Sequence, residues 1–160
     1  MSATRFSGNR RTLTLLSTAV QAALVGCLLL CPAQPVAAQT RTVWDGVYTE
    51  AQAPRGQEQY KDICGYCHRD DLQGGGSEIG APALLGSIFT TKWEDSPLVD
   101  LFVTIGTTMP QEDPDSLMPQ VVIDIISFLL EANGMPAGPT ELLPTLDALE
   151  QILVTAAPNQ

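Results

Sequence analysis

The sequence predicts an all-α domain, and three observations support this fold class. Four segments carry apolar residues in patterns typical of helices, and the second has them at i, i+3, i+4 and i+7. No segment shows a convincing alternation of apolar and polar side chains, which is typical of a half-buried strand. The sequence also contains no internal repeat. We therefore expect about four helices in one domain, which suits a chain of 160 residues.

The first helix is expected from about residue 54 to about residue 64. Pro54 is acceptable at the first position of a helix, because the N–H that proline lacks would have no intrahelical partner there. The apolar face of this helix comprises Tyr60, Ile63, Cys64 and Cys67. Three consecutive glycines at residues 74–76 then open a stretch without clear periodicity, which we predict as a loop reaching about residue 95.

The second helix is expected to begin at Ser96 and Pro97, an N-cap residue followed by proline. Its apolar face comprises Leu98, Leu101, Phe102 and Ile105. Gly106 is predicted to end this helix, since glycine favours a helix C-terminus.

The third helix, predicted over residues 119–133 and ended by Gly134, is apolar on nearly all sides. Its polar residues form one narrow stripe, Gln120, Asp124, Ser127 and Glu131. We therefore expect it to be the most buried helix. A linker rich in proline and glycine, residues 135–144, precedes a short fourth helix capped by Thr145. The inward side chains of that helix are predicted to be Leu146, Leu149, Ile152 and Leu153.

The first 38 residues have the pattern of a secretory signal peptide. Arg5, Arg10 and Arg11 precede an apolar, acid-free run over residues 13–30, and cleavage is expected after Ala38. Lipidation at Cys27 and an uncleaved membrane anchor are two alternatives. The predicted organisation is thus a signal peptide over residues 1–38 and an exported, periplasmic domain over residues 39–160. That domain ends in a linker and helix at about residues 137–155.

The charge of the exported chain is strongly acidic. The full sequence has a net charge of −10, and residues 39–160 carry five basic and 18 acidic side chains, a formal charge of −13. Nucleic-acid affinity depends on Lys and Arg neutralising phosphates, so a nucleic-acid partner is not expected. The chain has a single histidine, which excludes any site that needs two within this chain. The expected partners are proteins.

The chemistry-bearing motif is Cys64-Gly65-Tyr66-Cys67-His68. Two thiols at this spacing can add to the two vinyl groups of a haem, and a histidine directly after the second thiol can ligate the iron. Four short helices and a long loop also bury little apolar surface, so we expect a non-protein group to fill the centre. The motif therefore predicts one covalently attached haem c, with His68 as an iron ligand.

Three other interpretations of this motif are less consistent with the sequence. A thioredoxin-like dithiol begins a helix after a strand, whereas here a helix is predicted to end and no strands surround it. A structural zinc site lacks further thiols or imidazoles to complete four ligands. An ordinary disulfide would leave the adjacent histidine unexplained.

The second iron ligand is expected to be a methionine downstream of the motif. Met109 lies in a loop between the second and third helices, before Pro110, and is the preferred candidate. Met118 lies at the start of the third helix, where core packing is the alternative role. Met135 follows a helix end, where folding back onto the helix would be ordinary.

The residues above resemble those of small monohaem c-type cytochromes of bacteria, ligated by His and Met. The resemblance is closest to the cytochrome domains that accompany quinoprotein dehydrogenases, and it covers nearly all of residues 39–160. It implies a cytochrome c fold in which the Pro82 carbonyl accepts a hydrogen bond from the proximal imidazole. It also implies that Phe89 and Trp93 pack beside the porphyrin and that Met109 is the distal ligand. Met135 departs from the family pattern, and a packing role is assumed for it.

The function that follows is one-electron transfer between redox proteins, such as a periplasmic dehydrogenase and an oxidase or another cytochrome, rather than an enzymatic reaction. Apolar side chains expected to be buried against the haem are Leu84, Leu85, Ile88, Phe89, Trp93, Leu101 and Phe102. One alternative is a haem sensor or small catalytic haem protein with a labile distal ligand, and a less favoured one is a thiol-disulfide oxidoreductase.

Overall fold

A computed structural model describes residues 41–75 and 80–158. Within these residues the fold consists of six helices and one pair of very short strands. The helices are α1 (Gln52–Ile63), α2 (Gly65–His68), α3 (Ser87–Trp93), α4 (Leu98–Thr108), α5 (Pro119–Ala132) and α6 (Leu146–Glu150). The strands are β1 (Arg41–Thr42) and β2 (Ile152–Leu153), which pair in parallel. The mostly helical fold class predicted from the sequence is confirmed. These residues all belong to one compact unit, Gln39–Gln160.

Several predicted boundaries were wrong. Helix α4 runs through Gly106 to Thr108, because that glycine keeps a negative φ and does not reverse the backbone. The same helix begins at Leu98, after Pro97, and no side chain caps it. Helix α3 lies inside the stretch predicted as a loop.

The predicted fourth helix is shorter than expected. Helix α6 ends at Glu150, and Ile152 and Leu153 form β2 instead of a further helical turn. Leu146 is 55% exposed, so its predicted inward position was wrong. Pairing with Arg41 and Thr42, more than one hundred residues earlier, accounts for the change from helix to strand.

Helix α5 is the most buried helix, as predicted, with nine consecutive buried residues, Val122 to Leu130. The polar stripe, however, does not all face solvent. Ser127 is fully buried and donates to the Ile123 carbonyl, which satisfies its hydroxyl within the helix. Asp124 is also buried, and it is paired with Arg55 of α1, whose Nε lies 3.0 Å from Asp124 Oδ2.

Helices α1 and α5 make the most extensive contact between two elements. They approach most closely at Gly56, where a Cβ atom would overlap the carbonyl group of Asp124. Beside this crossing, buried Gln52 donates to the Leu142 carbonyl and accepts from the Leu142 N–H. Arg55 also pairs with Glu141. This set of bonds attaches the linker after α5 to the crossing.

The N-terminal segment of the domain is held by Tyr48. Its hydroxyl is buried and donates to the Met135 carbonyl over 2.7 Å, just beyond the end of α5. The Met135 side chain is 2% exposed and belongs to the core. Burial, and to a smaller extent the charge of Glu131, raises the pKa of Tyr48 to about 12.

This shift predicts a loss of stability in alkali. A tyrosine whose pKa is near 10 when unfolded and near 12 when folded stabilises the fold fully below pH 10. The contribution is lost as the pH rises through 12. Tyr48→Phe is therefore expected to make the free energy of unfolding less steeply dependent on pH between about 10 and 12. At neutral pH it should cost about 1 kcal/mol for the lost hydrogen bond.

Urea unfolding across this pH range measures both effects, with Tyr66→Phe as the control, since Tyr66 is 85% exposed. If the two variants showed the same pH dependence, buried Tyr48 would not be the source of the alkaline loss.

Among the described residues, no helix is both long enough and apolar enough to span a membrane. The predicted signal peptide, its cleavage after Ala38 and the alternatives of lipidation or a retained anchor all fall outside the described residues.

Candidate functional site

The two cysteines lie where α1 gives way to the single turn α2. Cys64 ends α1, with its N–H bonded to the Tyr60 carbonyl over 2.7 Å. The carbonyl of Cys64 then accepts from the N–H groups of Cys67 and His68, at 3.1 and 2.9 Å. These bonds wind the motif into a helical turn, so both thiols and the imidazole face one cavity. Both thiols are free.

His68 is buried and held in one orientation. Its Nδ1 lies 2.9 Å from the carbonyl oxygen of Pro82. A carbonyl can only accept, so Nδ1 carries the proton and Nε2 keeps its lone pair. The neutral imidazole thus presents an unprotonated nitrogen to bind a metal ion, and the bond to Pro82 fixes the orientation of the ring.

Gly74 determines how closely the Pro82 segment approaches the motif. Its φ is +80°, and a Cβ atom there would lie 2.6 Å from the Ala81 carbonyl oxygen and 2.8 Å from the Pro82 carbonyl carbon. The Gly74 N–H also donates to the His68 carbonyl over 3.1 Å. A side chain at this position would push the Pro82 carbonyl away from His68. The sequence marked this glycine only as part of a loop.

The seven residues singled out from the sequence all line one cavity of about 280 Å³. They are Cys64, Cys67, His68, Pro82, Phe89, Trp93 and Met109. Met109 follows α4 directly and donates its N–H to the Ile105 carbonyl. Of the other methionines considered, Met118 is 69% exposed and does not line the cavity, and Met135 is buried in the core.

Helix α3 supplies one wall of the cavity through Phe89 and Trp93. Asn133, at the end of α5, fixes the start of this wall. Its Oδ1 accepts from the Gly86 N–H at 2.9 Å, and its Nδ2 donates to the Leu84 carbonyl at 3.0 Å. The sequence placed Asn133 at the end of a helix, but nothing in it indicated a bond to a segment 47 residues earlier.

The apolar lining agrees only in part with the sequence prediction. Leu84, Ile88 and Leu101 line the cavity as expected, although Ile88 is also 57% exposed. Leu85 and Phe102 do not: Leu85 faces a second, more polar groove, and Phe102 packs against the general core. Apolar lining residues that the sequence did not assign to the cofactor are Tyr60, Ile63, Ile105, Ile125 and Leu129.

The protonation of Cys64 argues against redox-active dithiol chemistry. Burial, with a smaller effect of Cys67, raises the pKa of the Cys64 thiol to about 11. A nucleophilic thiol needs a lowered pKa, usually at the start of a helix. Cys64 instead ends the twelve-residue helix α1. A metal cluster is not favoured either, because within residues 41–75 and 80–158 no three His, Cys, Asp or Glu side chains are placed to hold an ion.

The donor set in the cavity fits haem c. Two free thiols lie on one turn, an imidazole with a free Nε2 follows them, and a thioether lies in the same cavity. The remaining walls are mainly apolar or aromatic, which suits the faces of a porphyrin.

Residues 51–129 match the profile of a family described as cytochrome C oxidase, cbb3-type, subunit III. Among solved structures, the fold is similar to a chain of the sulfane dehydrogenase SoxCD from Paracoccus pantotrophus. The TM-score is 0.49 and the identity 20%, over 72% of this chain and 61% of that chain, so the match spans less than two thirds of its length. The comparison with curated proteins found no significant match.

Proposed function

We propose that this protein is a c-type cytochrome that binds haem c covalently and carries single electrons between periplasmic redox proteins. The match of residues 51–129 to a cytochrome c oxidase subunit family supports this. The observation that carries the proposal is the single cavity shared by the Cys64 and Cys67 thiols, the His68 imidazole and the Met109 thioether. When bound, haem supplies a one-electron iron couple. The protein residues attach it, ligate it and separate it from water.

Attachment is assigned to Cys64 and Cys67. Their thiols lie three residues apart on one helical turn facing the cavity, where each can form a thioether. Covalent attachment would retain the cofactor in a small domain, where the cavity-lining Leu101, Leu129 and Phe89 would shield it from water. Haem burial then contributes to folding, because binding to the folded state alone stabilises it.

Ligation is assigned to His68 and Met109. The Pro82 carbonyl fixes the imidazole tautomer so that Nε2 is the ligating atom. Met109 would supply a thioether ligand, which favours the ferrous state and raises the reduction potential. If His68 and Met109 both held the iron, no site would remain for oxygen or a substrate, and this favours electron transfer over catalysis.

The proposed location is the periplasm. Haem attachment of this type follows export, which agrees with the signal peptide predicted over residues 1–38. The exported chain would then begin near residue 39, with a formal charge of −13.

The proposed partners are redox proteins with basic docking surfaces. A charge of −13 steers association towards a positive patch, and the association rate should fall as salt rises. The matching family takes its name from a subunit of a cytochrome c oxidase. This supports an oxidase on the acceptor side, with a dehydrogenase as the proposed donor.

Exchange of methionines tests the ligand assignment. The oxidised protein should show the weak absorption at the red end of the visible spectrum that arises from iron–methionine ligation. Met109→Ala is expected to abolish it, because Met109 lines the cavity, while Met118→Ala should keep it, because Met118 is exposed. The opposite result would transfer the ligand to Met118.

Carbon monoxide binding to the reduced protein distinguishes an electron carrier from a haem sensor or catalyst. A firmly bound thioether should leave the reduced spectrum largely unchanged under carbon monoxide, and Met109→Ala should bind carbon monoxide readily. Rapid binding by the unmodified protein would overturn the carrier proposal and favour a labile distal ligand.

A further inference from the structure

Besides the proposed haem-binding residues, the lining of the haem cavity contains two side chains that carry a formal charge at neutral pH, Lys92 and Glu112. Lys92 lies on the last turn of α3 and Glu112 in the loop after Met109. The sequence alone predicted no role for either residue. A cofactor with ionised groups would therefore meet one positive and one negative side chain in this cavity.

Lys92 has no acidic partner among the described residues, in which the ion pairs use Arg55 and Arg69. Its ammonium instead lies 5.5 Å from the centre of the Trp93 ring, in cation–π contact. The indole N–H of the same Trp93 has no hydrogen-bond acceptor in the described part of the chain. Two neighbouring residues that line the cavity thus carry donors that pair with no acceptor in the described part of the chain.

We propose that Lys92 is the counter-ion of a haem carboxylate, an inference that rests on the proposed function. Haem has two propionate groups, and a carboxylate beside apolar walls is stabilised by a nearby cation and by hydrogen-bond donors. Lys92 supplies the cation, and Trp93 supplies a donor next to it. Glu112 would repel a carboxylate.

The pairing has a consequence for the reduction potential. The oxidised haem centre is one charge more positive than the reduced one, so a neighbouring ammonium favours reduction. It also neutralises the carboxylate, whose free charge would favour oxidation. Both effects have the same sign, so loss of the Lys92 charge should favour the oxidised state. Because Lys92 is exposed, the expected effect is modest.

The test uses the full haem-loaded protein and three variants. In Lys92→Met, the ratio of reduced to oxidised protein at a fixed solution potential should fall about threefold. Lys92→Arg should restore it. Lys61→Met removes an equal charge from an exposed residue of α1 that does not line the cavity. It should leave the ratio nearly unchanged at about 1 M salt, where the Debye length is about 3 Å.

Resonance Raman spectra provide a readout of direct contact. The bending band of the haem carboxylates should shift in Lys92→Met, return in Lys92→Arg and stay in place in Lys61→Met. An unchanged band in Lys92→Met would overturn the pairing, whatever the potential does. Equal potential shifts in Lys92→Met and Lys61→Met would do the same. A protein isolated without covalent haem would instead overturn the proposed function, and this inference with it.

Discussion

Replacement of both motif cysteines, Cys64→Ala with Cys67→Ala, is expected to yield a protein without covalent haem and without a cooperative fold. The cavity of about 280 Å³ is lined largely by apolar side chains, including Phe89, Leu101 and Leu129. Leaving a large apolar side chain exposed costs about 1.5–3 kcal/mol. A few such residues therefore equal the 5–15 kcal/mol that is typical for a whole domain.

The measurement is haem content of the denatured chain together with circular dichroism and urea unfolding. The two single variants are the matched controls, because each keeps one thiol that can form one thioether. They should retain some covalent haem and an intermediate stability. A double variant with native helix content and a cooperative unfolding transition, but no haem, would show that the protein core suffices and would contradict the structural role assigned to haem burial.

Much of the site could be predicted because its residues are defined by local chemistry. The motif from Cys64 to His68 is contiguous, so the thiol spacing and the imidazole are visible in the sequence. Met109 could be preferred to Met118 as the candidate iron ligand because it lies in a loop between two helices. Helix α3 was missed because seven residues are too few to show a helical period. Its position depends on Asn133, which is distant in sequence.

The parts that could not be predicted depend on contacts between distant segments. Asp124 was assigned to a polar stripe, and its burial is compensated by pairing with Arg55, 69 residues earlier, and by a hydrogen bond from Gln120 Nε2. Ile152 and Leu153 have an apolar pattern that suits a helix, but they pair with Arg41 and Thr42 instead. The charges of Lys92 and Glu112 became meaningful only once both were found in the cavity lining.

Gly56→Val is expected to cause a large loss of stability. A Cβ atom at this position would overlap the Asp124 carbonyl group and lie 2.9 Å from the Ile125 backbone nitrogen. These are backbone atoms of α5, so no side-chain rotation can relieve the overlap. Helices α1 and α5 would have to separate, which would also strain the pairing of Arg55 with Asp124. We expect a loss of about 3 kcal/mol or more.

Gly106→Ala is the matched control, because it replaces another glycine within a helix. A Cβ atom there would meet only the Val122 side chain, at 4.0 Å. This variant should gain about 0.5–1 kcal/mol, since alanine favours a helix over glycine. Urea unfolding of the haem-loaded proteins measures both changes. The opposite signs distinguish a close helix crossing from a general intolerance of substitution, and equal losses in the two variants would refute the crossing as the cause.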